Sequence, residues 1–213
     1  MNFIKKSNLI SLSAVLGLTL AIVSVSNELI LTRSFFADSG HALAALPGQD
    51  VLIYAGLQKW IYVLTGLYLL LKIGLTSLII YTALYIVDRP ISFSAILNMV
   101  TLCEVMFSLA AIIKILWFHF LYPHGSLLDW HQIYILSALS LFDTIPADWY
   151  YPLQTMNAFE ISYWFLLAFG MSRIAGFNYW HSLKIIACSY LPLLLIWIVV
   201  VCFCSIMYFP NHG

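Results

Sequence analysis

LQKWIYVLTGLYLLLKIGLTSLIIYTALYIV, residues 57–87, decides the fold, because from Trp60 to Val87 it holds a single charge, Lys72. It shows neither the alternation of a half-buried strand nor the polar face of a surface helix. A helix crosses the roughly 30 Å of bilayer hydrocarbon with about 20 apolar residues, and in lipid a helix satisfies its own backbone groups. Working outward, Asn8–Leu31, Phe93–Phe120, Leu153–Ala175 and Leu183–Phe209 read as further spans. The expected fold is all-α, a polytopic membrane helix bundle of about five transmembrane helices plus one short interfacial or re-entrant helix, in a single integral membrane domain over 1–213.

Composition points the same way. Of 213 residues, 63% are apolar and only 8% charged, against about 25% charged in a soluble domain. That charge cannot cover a water-facing surface. The mean hydropathy is +0.96. The formal net charge is zero and Lys5-Lys6 is the longest basic run, which argues against nucleic acid or an anionic-lipid patch as partner. Cys103, Cys188, Cys202 and Cys204 lie in apolar runs without CxxC spacing and read as small core residues.

His131–Phe142 is too short to span; Trp130, Trp149, Tyr150 and Tyr151 flank it as interfacial aromatics do, so it is expected to lie in the interface or re-enter. Alternate connections sort by positive charge. One set holds Lys5, Lys6, Arg89, Arg173 and Lys184; the other holds Arg33 and Lys59. The excess places the N-terminus in the cytoplasm and the C-terminus outside, as in a bacterial inner membrane. The first apolar run could also be read as a signal peptide ending at Ser24-Val25-Ser26. Its length, and the stripe Ala14, Gly17, Ala21 and Ser24 suited to close packing, favour a retained helix. Asp88-Arg89-Pro90 with Ser92, and Gly176, supply turn and cap chemistry for the short connections.

Charges inside the spans carry the functional argument, since each costs roughly 2.5–3.5 kcal/mol at mid-depth on insertion scales. Lys72 and Glu104 lie near the middle of consecutive, antiparallel spans and are expected to pair. Lys114 and Glu160, each in the outer third of its span, form the second expected pair. Asn157, Glu160 and Trp164 recur at i, i+3 and i+7, on one helical face. With Ser189, Asn157 and Trp164 are candidates for a polar cavity. Pro192 removes a donor to the Cys188 carbonyl and predicts a kink, with Ser189 available to the freed groups. His119, His124, His131 and Asp129 cluster around one loop, but their spacing matches no familiar ligand pattern, so no metal and no cofactor are expected. No HExxH, GxSxG, Walker-type loop or SxxK is present, and an enzyme is the least supported class.

The run Met156-Asn157-Ala158-Phe159-Glu160-Ile161-Ser162-Tyr163-Trp164, then Leu167-Ala168-Phe169-Gly170-Met171-Ser172-Arg173-Ile174-Ala175-Gly176, a polar turn and Ser182-Leu183-Lys184, resembles the Yip1 family in its compact bacterial form. Ser92-Phe93 opening the third span also fits, and the likeness covers about residues 92–208. The resemblance implies five helices with the N-terminus cytoplasmic and the C-terminus outside. Eukaryotic members are implicated in membrane traffic and bind small GTPases through a long N-terminal region. Only about seven residues precede the first span here, so GTPase binding is not carried over.

The leading expectation is a non-enzymatic membrane scaffold, organising or accessory protein acting through helix association, with membrane lipid and either copies of itself or other membrane proteins as partners. The rival is an oligomeric small-solute or ion transporter module whose polar groups Lys72, Glu104, Asn157 and Glu160 converge on a wet cavity.

Overall fold

The computed structural model describes residues 2–32, 35, 49–122, 125, 129–130, 133–142 and 145–208. The elements are α1 (Asn2–Leu29), α2 (Gln49–Ile86), α3 (Phe93–Cys103), α4 (Val105–Leu121), a 3-10 turn (Ala138–Leu141), α5 (Ala147–Thr155), α6 (Ala158–Ala175) and α7 (Tyr179–Tyr208). The described residues form no named strand; one isolated bridge joins Ser137 and Asn157. Among the described residues, four stretches are long and apolar enough to cross a membrane: Asn8–Leu29, Trp60–Ile86, Phe93–Leu121 and Tyr179–Cys204. The chain is an integral membrane protein built as a helical bundle.

The third of these stretches is α3 and α4 joined through a tightened turn at Glu104 (φ −61°, ψ −19°). There the Phe107 N–H bonds the Glu104 carbonyl at 3.0 Å, a 3-10 step inside an otherwise α-helical run.

The expected fourth span is broken. Residues 153–155 close α5, Met156 and Asn157 leave the helix, and α6 starts at Ala158. Asn157 has extended backbone and its Oδ1 accepts the Glu160 N–H at 2.8 Å, so it is the N-cap. Gly176, at φ +68°, ends α6 in the left-handed conformation that glycine favours. α6 has 18 residues, a length of about 27 Å. Its start is tied to the 133–142 segment, the Ala158 N–H bonding the Leu136 carbonyl and the Ala138 N–H bonding the Met156 carbonyl. Its far end leads into Phe177, whose ring lies 5.6 Å from the Arg89 guanidinium in the α2–α3 connection.

Residues 133–142, the described part of the expected interfacial helix, form turns, the Ser137 bridge and one 3-10 turn rather than an α-helix; His131 and Gln132 lie outside the described residues. The hydroxyls of Ser137 and Ser140 bond local carbonyls at 2.8 and 2.7 Å, the competition that breaks helices in such segments.

One core of buried side chains joins five helices. Val15 (α1), Ile73 and Ile80 (α2), Ile96 and Val100 (α3), Tyr163 and Leu167 (α6) and Ile186 (α7) belong to it. Gly170 lets α6 approach α3 closely, since a Cβ there would sit 2.5 Å from Met99 Cγ. α1 docks on α3 through polar groups: Asn8 Nδ2 donates to the Ser94 carbonyl at 2.8 Å, and the Ser11 hydroxyl donates to Asn98 Oδ1 at 2.5 Å. The small-residue stripe is not what packs. Ala14, Gly17 and Ala21 are exposed, because Asn8, Ser11 and Val15 take the inward face. Much of the remaining outer surface is large and apolar, Leu67, Leu71, Leu78, Leu116 and Val199 among it, as lipid contact requires.

Candidate functional site

Lys72 lies twelve residues after Trp60 and fourteen before Ile86, deep within its span. Its ammonium meets Glu104 Oε2 at 2.9 Å, with side chains 21% and 1% exposed. This is the expected pair, and it is the one ion pair found among the described residues. The ammonium also lies 3.3 Å from the centroid of Phe107, a cation–π contact that replaces part of its lost hydration. Glu104 Oε1 accepts the Tyr163 hydroxyl at 2.7 Å. Both oxygens of this buried carboxylate are therefore occupied.

The second carboxylate is placed differently. Glu160, 5% exposed, accepts the Trp164 indole N–H at 2.9 Å and the Tyr190 hydroxyl at 2.8 Å. Both bonds fall on Oε1; no hydrogen bond among the described residues reaches Oε2. Tyr163 and Tyr190 meet edge to face with centroids 5.6 Å apart, which links the two carboxylate clusters through their donors.

Lys72, Glu104 and Glu160 line one cavity of about 420 Å³ between α1, α2, α4, α6 and α7. Tyr68, Phe107, Tyr190 and Trp197 add aromatic faces. Tyr151 of α5 also lines it and accepts the Trp197 indole N–H at 2.9 Å. Burial pushes the Tyr151 phenol above its ordinary range, against the lowering effect of the Trp197 bond, so it enters as a neutral hydroxyl. Leu71, Leu75 and Trp197 are lining residues that are also exposed, so the cavity reaches the apolar outer surface.

Lys114 does not pair with Glu160. Its ammonium lies 4.5 Å from the Trp130 ring centroid and 4.3 Å from that of Tyr134. A helix turns about 100° per residue, so ten residues beyond Glu104 the side chain points roughly 80° away from it, towards the loop aromatics. Asn157, Trp164 and Ser189 do not line the cavity either. Asn157 is engaged as the α6 cap, its Nδ2 donating to the Gln154 carbonyl at 2.9 Å. Trp164 positions Glu160 from behind. The Ser189 hydroxyl bonds the Ile185 carbonyl at 2.7 Å, so it is not spent on the Cys188 carbonyl freed by Pro192. Of the histidine set, His124 and His131 lie outside the described residues; among those described, no three His, Cys, Asp or Glu side chains group as metal ligands.

Sequence reasoning missed Tyr163, Tyr190, Tyr68 and Phe107. The available signal was depth: tyrosine favours the membrane interface, so a tyrosine deep in a span needs an acceptor there.

The fold and site define a polytopic helical membrane protein with a charged cavity inside its bundle. No family model, curated protein or solved structure matches this chain.

Proposed function

We propose that this chain is a non-enzymatic membrane module that receives a small molecule or ion in its bundle, in the manner of a solute-binding or transporter subunit. One observation carries the reading: Glu160 is 5% exposed, lines a cavity of about 420 Å³ and, among the described residues, has no cation paired with it. Lys72 is already neutralised by Glu104, so Glu160 leaves the cavity lining with a formal charge of −1. A group placed at that cost inside a membrane is a functional centre by default, and the cavity volume falls within the usual range for ligand pockets.

In this reading α6 is a fifth crossing, supported by its attachment to opposite ends of the bundle. The end that carries Arg89, Arg173 and Lys184 faces the cytoplasm, which puts the N-terminus inside and the C-terminus outside a bacterial inner membrane. A compact Yip1-type architecture fits that arrangement and stays part of the proposal.

The test is carboxyl labelling of the purified protein in detergent micelles at mildly acidic pH with dicyclohexylcarbodiimide, a hydrophobic reagent to which a carboxyl adds in its acid form, its proton passing to the reagent's nitrogen, followed by peptide mass mapping. Modification at Glu160 and not at Glu104 is expected. If Glu160 is untouched while carboxylates outside the bundle react, the cavity is closed to small molecules and the reading falls.

A second reading, association with copies of itself or other membrane proteins as a scaffold, is favoured by the exposure of Ala14, Gly17 and Ala21 along α1. Small residues let membrane helices approach closely. Cysteine at Gly17 that cross-links between copies in native membranes supports it; cysteine that stays monomeric removes it for self-association.

A further inference from the structure

Resting on the ligand-binding reading above, we infer that the cavity takes an organic cation, an ammonium carried on an apolar or aromatic body. An anion would face the uncompensated charge of Glu160, while the one ammonium at the site, Lys72, is already held 2.9 Å from Glu104. A dehydrated metal ion needs several strong ligands at once. The site supplies two carboxylates, and Glu104 has both oxygens engaged, by Lys72 and by Tyr163. What remains is a single carboxyl oxygen with no hydrogen-bond partner among the described residues, Glu160 Oε2, on a residue that lines a cavity walled by aromatic rings and aliphatic side chains. This is the arrangement that recognises ammonium groups: one charge for the nitrogen and π-faces for its substituents. Trp164 and Tyr190 both donate to Oε1 and so fix the carboxylate's orientation without consuming Oε2. The exposed rim residues Leu71, Leu75 and Trp197 give an apolar ligand an entry path along the lipid-facing surface.

Equilibrium dialysis of the purified protein in micelles, with benzyltrimethylammonium and with phenylmethanesulfonate, tests the assignment because the two probes have similar bodies and opposite charge. The cation is expected to bind saturably and the anion not to compete. Glu160→Gln keeps an oxygen acceptor for Trp164 and Tyr190 and is expected to weaken cation binding by about tenfold or more, equivalent to roughly 1.4 kcal/mol. In the unmodified protein, the cation is expected to slow carbodiimide labelling of Glu160, a readout that does not depend on how the variant folds. Repeating the dialysis in nanodiscs with and without phosphatidylethanolamine separates a free amine from a lipid headgroup, since competition by the lipid identifies the headgroup as the natural source. Labelling of Glu160 without cation binding or protection overturns this inference and leaves the ligand-binding reading standing; absence of labelling removes both. Equal binding of the two probes, or full cation binding by the folded Glu160→Gln variant, also overturns it.

Discussion

Lys72 and Glu104 meet at 2.9 Å across two consecutive helices, deep in spans where an isolated charge is costly. Lys72→Met leaves Glu104 buried without its counter-charge and is expected to cost roughly 3–5 kcal/mol. Adding Glu104→Gln removes that orphaned charge and is expected to recover most of the loss. Equilibrium unfolding in mixed micelles gives the coupling; losses that simply add would show that the contact does not stabilise the bundle.

Gly170 against Met99 sets how closely α6 lies on α3. Gly170→Val is expected to destabilise by about 1–3 kcal/mol through overpacking. Met99→Ala in the same chain opens the space that the valine fills, so the double variant is expected to be more stable than the sum of the single losses predicts. The same unfolding measurement reads both.

Asn157 caps α6 and holds the preceding chain through the Gln154 carbonyl. Asn157→Ala is expected to cost about 1–2 kcal/mol. Asn157→Asp, which keeps the acceptor at the helix N-terminus, is expected to cost less. Thermal melting of the two variants side by side checks the order.

Leu136 occupies the left-handed region at φ +57° while 63% exposed, so it carries strain with little packing in return. A non-glycine residue there costs roughly 1–2 kcal/mol. Leu136→Gly is expected to stabilise the protein by up to about 1 kcal/mol, the glycine's greater unfolded-state freedom offsetting part of the gain. A lower melting temperature for this variant would contradict the account of the 133–142 segment.

The sequence was informative where energy at a given depth dictated the answer. Apolar runs long enough to span gave four of the long helices, and the cost of an isolated charge predicted Lys72 with Glu104. The spacing of Asn157, Glu160 and Trp164 correctly grouped three residues that bond to one another through Glu160. Depth alone does not report rotation about a helix axis, and the errors follow from that. Lys114 matched Glu160 in depth but faces the loop aromatics Trp130 and Tyr134. Ser189 is one residue from the bonding Tyr190, hence about 100° around the helix, and it satisfies its own turn instead. The small-residue stripe on α1 faces outward within one chain, because Asn8 and Ser11 had partners on α3 that no local pattern reveals.

Of the two buried carboxylates, Glu104 is paired with a cation and Glu160, among the described residues, is not. Thermal melting of Glu104→Gln beside Glu160→Gln, in one detergent and without added ligand, tests it most directly. Glu104→Gln strips Lys72 of its counter-charge and is predicted to melt several degrees below the parent. Glu160→Gln removes a carboxyl that has no ion-pair partner among the described residues, keeps the acceptor for Trp164 and Tyr190, and is predicted to melt at or above the parent. An equal loss in both variants would mean that Glu160 is held by a cation as firmly as Glu104 is, and would contradict the account.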